Sequence, residues 1–244
     1  MTAARPYLGR RNPLAGLVAS AAVSVAAVVA ADPLTPALLL AGTLLTIPLT
    51  GLGVRQLALR LWPLVTGAVG VAVSNLLYGT VDATTALALG LRVTAVALPG
   101  VLALGAVDPT EFADALVQHL RAPARFAYGT LAALRLLPLL AAEWHTIGLA
   151  RRARGVEAGW HPVAALRLFG GRVFTLMAGA IRRATRLALA MDARGFDAGL
   201  PRTYARRSVF TRADAALVLA GAGFALAATG VSVALGTWRF LTGV

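Results

Sequence analysis

Long runs without a charged side chain constrain this chain more than any other feature. Residues 14–31, 34–52 and 61–78 carry no charge at all. Eighteen residues of helix at about 1.5 Å each reach roughly 27 Å, close to the hydrocarbon thickness of a bilayer. Asp32-Pro33 reads as a tight turn between two antiparallel spans, with Pro33 opening the second helix. Residues 84–107, which include Arg92, and residues 213–238 complete a set of five expected spans. Charged residues make up only 14% of the chain, against about 25% in an ordinary soluble domain, which argues against a water-soluble globule. A cleaved signal peptide would have a shorter apolar core and no second span close behind it, so the first span reads as retained.

Orientation follows from the basic flanks, because short Arg-rich segments stay in the cytoplasm. Every basic residue is Arg and none is Lys. Arg5, Arg10 and Arg11 precede the first span, Arg55 and Arg60 lie between the second and third, and the Arg-rich middle lies between the fourth and fifth. The loops on the other side hold only Asp32 and Asp82, so the N-terminus is expected in the cytoplasm and the C-terminus outside, with Arg239 the exception. Arg92 is expected to snorkel or to pair inside the bundle.

The chain therefore divides into a membrane region at 1–107, a charged domain at 108–212 and a last span within 213–244. Residues 108–212 hold 16 of the 23 Arg yet stay rich in Leu and Ala, the composition of amphipathic helices. A short helix capped by Asp108 or Thr110 is expected to reach His119. A longer one runs from Pro123 to about Ala153, bent at Pro138, and a third from near Pro162 to about Ala193. On the third, Arg172, Arg183 and Arg194 recur every 11 residues and fall on one stripe, while Gly170-Gly171 loosens the helix. The two long helices end alike, in Ala153-Arg154-Gly155-Val156-Glu157-Ala158-Gly159 and Ala193-Arg194-Gly195-Phe196-Asp197-Ala198-Gly199. Arg-Gly is ordinary helix-ending chemistry. The same pair also suits docking, since a guanidinium grips carboxylates or carbonyls bidentately and the glycine admits another backbone.

The run from Asp108-Pro109 through Leu134-Arg135-Leu136-Leu137-Pro138 to Ala190-Met191-Asp192-Ala193-Arg194-Gly195-Phe196, with the first Ala-Arg-Gly between, resembles the T component of energy-coupling factor transporters. The likeness extends from Asn12-Pro13-Leu14 to the last span. It implies an all-α membrane scaffold of about five spans with a cytoplasmic coupling domain of two long helices and a short one. In that family, found in bacterial cell membranes, the paired motifs end two crossing helices and contact two ATPase subunits. Other surfaces hold a small substrate-binding membrane protein that captures vitamins or metal ions. Matched by motif, the ATPase-docking residues are Ala153, Arg154, Gly155, Ala193, Arg194 and Gly195.

The residues argue against chemistry in the chain itself. A phosphate loop needs a Lys that is absent, so ATP hydrolysis is expected from a partner, and no cofactor is expected. Gly221-Ala222-Gly223 lies in a span and reads as packing surface, as do Gly67 and Gly70. Without Cys and with three His, a metal cage has few ligands, and Glu143 and His145, two apart, read as a helix-surface pair. The net charge of +13 is what basic flanks beside spans produce and what anionic lipid attracts, so no nucleic-acid partner is expected. The competing reading is a membrane assembly protein that docks some partner other than an ATPase through the same Arg-bearing ends.

Overall fold

The computed structural model describes residues 7–30, 32–79, 82–196 and 203–238. Regular structure among them is helical, with no strand, and the protein is an all-α membrane protein. After a 3₁₀ turn at Leu8–Arg10 come α1 (Pro13–Val29), α2 (Leu34–Leu45), α3 (Ile47–Thr50), α4 (Val54–Tyr78), α5 (Ala83–Ala106) and α6 (Pro109–His119). They are followed by α7 (Ala124–Ala153), α8 (Pro162–Ala193) and α9 (Arg212–Ala234).

Five helices are long and apolar enough to cross a membrane, but they are not the five expected. They are α4, α5, α7, α8 and α9, whereas α1 and α2 are shorter, at 17 and 12 residues. The second expected span breaks at Thr46 because Pro48 has no N–H to offer the carbonyl of Leu44, and Gly51 then turns left-handed at φ 64°. The first 18 residues of α8 hold only Arg167 and Arg172, so by length and composition that helix also suits a membrane span.

The chain forms two compact units, residues 1–120 with 207–244, and residues 121–206. In the first unit α1 buries Ala15, Ala19, Val23 and Ala27, a stripe repeating every four residues, and packs on α5 and α9. Small side chains let the backbones approach: a Cβ on Gly221 of α9 would stand 2.8 Å from that of Ala19. Gly67, Gly70 and Gly223 have no such neighbour, so they are not packing positions among the described residues. The short helix α6 packs on α1, and Asp108 is its cap, accepting from the N–H of Thr110 at 2.7 Å.

Two polar clusters fasten α9 at both ends. At its start, Thr211 and Asp214 form a capping box, and Asp214 also accepts the N–H of Asn12 at 3.0 Å. The Asn12 amide donates to Ser208 at 3.1 Å, and Ser208 in turn donates its N–H to Gln118 at 2.8 Å. At its other end, Ser232 donates to Asp32 at 2.7 Å, and Thr35 donates to the same oxygen through both its N–H, at 2.7 Å, and its hydroxyl, at 2.9 Å. Arg92, on α5, donates Nε to the carbonyl of Ala27 at 3.1 Å and Nη2 to that of Val28. It therefore pairs inside the bundle by capping the free carbonyls of α1.

Candidate docking site

In the second unit α7 and α8 run antiparallel, because the partner on α8 falls in number as the position on α7 rises. Tyr128 meets Phe196 edge to face at 6.3 Å between ring centroids, Glu143 meets Arg183 at 2.6 Å, and Arg151 donates to the carbonyl of Leu168 at 3.1 Å. Pro138 stays within α7 and Gly170-Gly171 within α8, so neither interrupts its helix.

The interface between the two helices mixes aromatic contacts, including Trp144 of α7 edge to face with Phe169 of α8 at 5.5 Å, with polar ones. Arg151 of α7 lies over Gly171 of α8, Arg172 of α8 lies over Gly148 of α7, and Glu143 lies over Gly179. Glycine at these positions leaves notches into which long charged side chains fit. The 11-residue Arg stripe is thus mainly a contact face: Arg172 and Arg183 look toward α7, and only Arg194 reaches the end of the helix. The approach of Arg183 to Glu143 is ionic, not an aligned hydrogen bond, and Glu143 Oε2, Arg172 Nε and Arg183 Nη1 are buried without hydrogen-bond partners. Glu143 was expected to sit with His145 on the helix surface. Its partner is instead Arg183, forty residues along the chain, a pairing set by the register of two helices that spacing along one helix cannot reveal.

The six candidate docking residues form two superposable helix ends. Ala153 closes α7, Arg154 caps it with φ −93° and ψ 9°, and Gly155 turns left-handed at φ 71°. Ala193 closes α8, Arg194 caps it with φ −90° and ψ 8°, and Gly195 turns left-handed at φ 73°. In each, the glycine N–H returns to a helical carbonyl three residues back (2.9 Å in both), and the next residue's N–H returns five residues back, at 3.0 Å from Val156 and 3.1 Å from Phe196. This is the Schellman arrangement, which satisfies the last carbonyls of a helix and needs a left-handed residue. All six residues are exposed. Neither guanidinium has a hydrogen-bond or ionic partner among the described residues. Residues 197–199 of the second motif lie outside the described residues.

The two ends are not brought together. Arg151 lies on Gly171, and at about 1.5 Å per residue from there to Arg194 the two tips stand roughly 40 Å apart along the pair. They also differ in setting. Beyond the first, Val156 and Trp160 are exposed, Trp160 completely, whereas beyond the second, Phe196 is seated on Tyr128.

A family model described as CbiQ, cobalt transport protein, matches residues 7–205, which include both helix ends. The chain belongs to this family. The energy-coupling factor transporter transmembrane protein EcfT of Exiguobacterium sibiricum is 41% identical over 87 residues, 35% of this chain. The chain spans about a third of that relative's length, 33%. The resemblance read from the paired Ala-Arg-Gly motifs therefore holds: this member of the CbiQ family is a T component, a membrane transport component of the energy-coupling factor type.

Proposed function

We propose that this chain is the coupling subunit of an importer in which two ATPase subunits, supplied by other chains, dock on Arg154 and Arg194. The observation that carries the reading is the pair of helix ends of equal geometry, exposed, unpaired and roughly 40 Å apart on one antiparallel unit. Two separate points of equal geometry suit two ATPase subunits that take one each. Each guanidinium offers a planar fork to a carboxylate or to backbone carbonyls, and the glycine beside it leaves room for the approach. No Lys exists in the chain to build a phosphate loop, so ATP hydrolysis is assigned to the partners.

Closure of the ATPases on ATP draws the two tips together, and α7 pivots against α8 at the Arg-over-Gly interface. An interface with few buried apolar side chains resists such a motion less than a packed core does. The pivot reorients a small substrate-binding membrane protein that takes up a vitamin or a metal ion. The family's description favours the metal. Although α7 and α8 are long and apolar enough to cross a membrane, the Arg-rich segments favour a cytoplasmic side for the charged middle, residues 108–212, and for the N-terminus, which is where both tips would meet ATPases of a bacterial cell membrane.

Arg154→Ala combined with Arg194→Ala is expected to abolish or strongly reduce uptake while leaving insertion in the membrane intact. Unchanged uptake in the double variant contradicts the reading. Retained ATPase docking through other residues favours the competing assembly role for these ends.

A further inference from the structure

The first unit contains an apolar cavity of about 420 Å³ between α1, α2, α5 and α9, within the range of roughly 300–1,000 Å³ that accepts small ligands. Gly16, Val23, Leu49, Leu102, Leu217 and Phe224 line it, and among the described residues no charged side chain does. It is an open groove, not a sealed void. In a membrane protein such a groove is not left to water, because apolar walls of this extent are filled by something equally apolar.

A cation stands at one end of it. Tyr7 lines the groove, and the Arg11 guanidinium lies over the Tyr7 ring, 4.3 Å from its centroid. Arg11 Nε is buried and has no hydrogen-bond partner. Asp214 attracts Arg11 electrostatically, but its hydrogen bonds go elsewhere: Asn12 donates to one oxygen, and the N–H and hydroxyl of Thr211 donate to the other. The guanidinium therefore keeps unsatisfied donors beside an apolar slot, and Arg10 is exposed next to it. An acyl chain alone would leave those donors unmet, and a soluble anion would leave the slot empty.

We propose that this groove binds one acyl chain of an anionic phospholipid, with the headgroup phosphate on Arg11. The chain fills the slot along Gly16 and Val23, and the phosphate accepts from the guanidinium that Tyr7 holds in place. This site is independent of the ATPase-docking ends, since its residues lie in the other unit.

The test uses the purified full chain in detergent, titrated with dioleoyl-phosphatidylglycerol or dioleoyl-phosphatidylcholine and read by lipid retention in native mass spectrometry and by thermal melting. Phosphatidylglycerol is expected to bind about fivefold more tightly, the weight of about 1 kcal/mol for one basic side chain against anionic lipid. Arg11→Gln should remove that preference and keep residual binding of both lipids. Gly16→Phe should block both, since a Cβ at Gly16 meets nothing within 4 Å and the ring would project into open space; Gly16→Leu is the milder version. Glycerol 1-phosphate, which has the headgroup charge and no chains, should give no shift. Equal retention of the two lipids by the unaltered chain, full retention in either Gly16 variant, or a shift with glycerol 1-phosphate overturns the proposal. So does a groove that takes no lipid but loses a copurifying membrane protein on Gly16→Leu.

Discussion

At each helix end the glycine carries the structural burden and the arginine carries none. Gly155 sits at φ 71°, where an L side chain is disfavoured, and an added Cβ there would meet nothing within 4 Å. The cost of Gly155→Ala is therefore conformational, about 1 kcal/mol, and Gly155→Asn should recover part of it because Asn tolerates the left-handed region. Thermal unfolding and hydrogen exchange over the last turn of α7 would measure both. Arg154→Ala should leave the same measurements nearly unchanged, because the side chain is exposed and makes no hydrogen bond or ion pair with a described residue. A protein that loses function with Arg154→Ala but not stability would be using that residue for recognition. These ends were legible in the sequence because a long periodic run followed by Arg-Gly leaves the backbone one good way to stop.

At the scale of elements, the informative contact is the one between α7 and α8. Glu143 is the acid among the Arg side chains there, and its pair with Arg183 is half-buried, at 25% and 30% exposed. Removing it leaves two buried guanidinium nitrogens, on Arg172 and Arg183, with less compensation. Glu143→Ala should destabilise the pair by about 1–2 kcal/mol, above an exposed ion pair and below a fully buried one. A double-mutant cycle with Arg183→Met in thermal or denaturant unfolding checks this, and a coupling energy near zero would contradict it. The helix bounds at Ala153, Pro162 and Ala193 were readable from Pro and Gly punctuation. The Glu143–Arg183 contact was not, since it depends on how two helices slide past each other. The early end of α2 was written in Pro48, but an expectation built on absent charge alone passed over it.

At the scale of the molecule, α9 is tied to the beginning of the chain by Asp214 at one end and Asp32 at the other. Asp32 lies in the turn between α1 and α2. Burial pushes its carboxyl up, but the hydrogen bonds from Ser232 and Thr35 more than offset this and hold it below the ordinary aspartate value of about 3.9. A lowered folded-state value means that the carboxylate's contribution is complete above the ordinary value and is lost as pH falls through the folded one. Asp32→Asn should therefore melt below the unaltered chain at neutral pH, and the gap should narrow once pH drops under about 4. A gap that stays constant from pH 7 to pH 3 would exclude this role for the charge.

Because the chain has no native cysteine, a single thiol can be placed at each helix end. Ala153→Cys and Ala193→Cys, made singly, give one thiol at each tip, next to Arg154 or Arg194. In membranes from cells that co-express the neighbouring subunits, a short bifunctional reagent should link either position to an ATPase subunit, and the two together should capture two. Thiols at both tips that react freely with a soluble probe yet never link to a nucleotide-binding chain would contradict the docking role assigned to these helix ends.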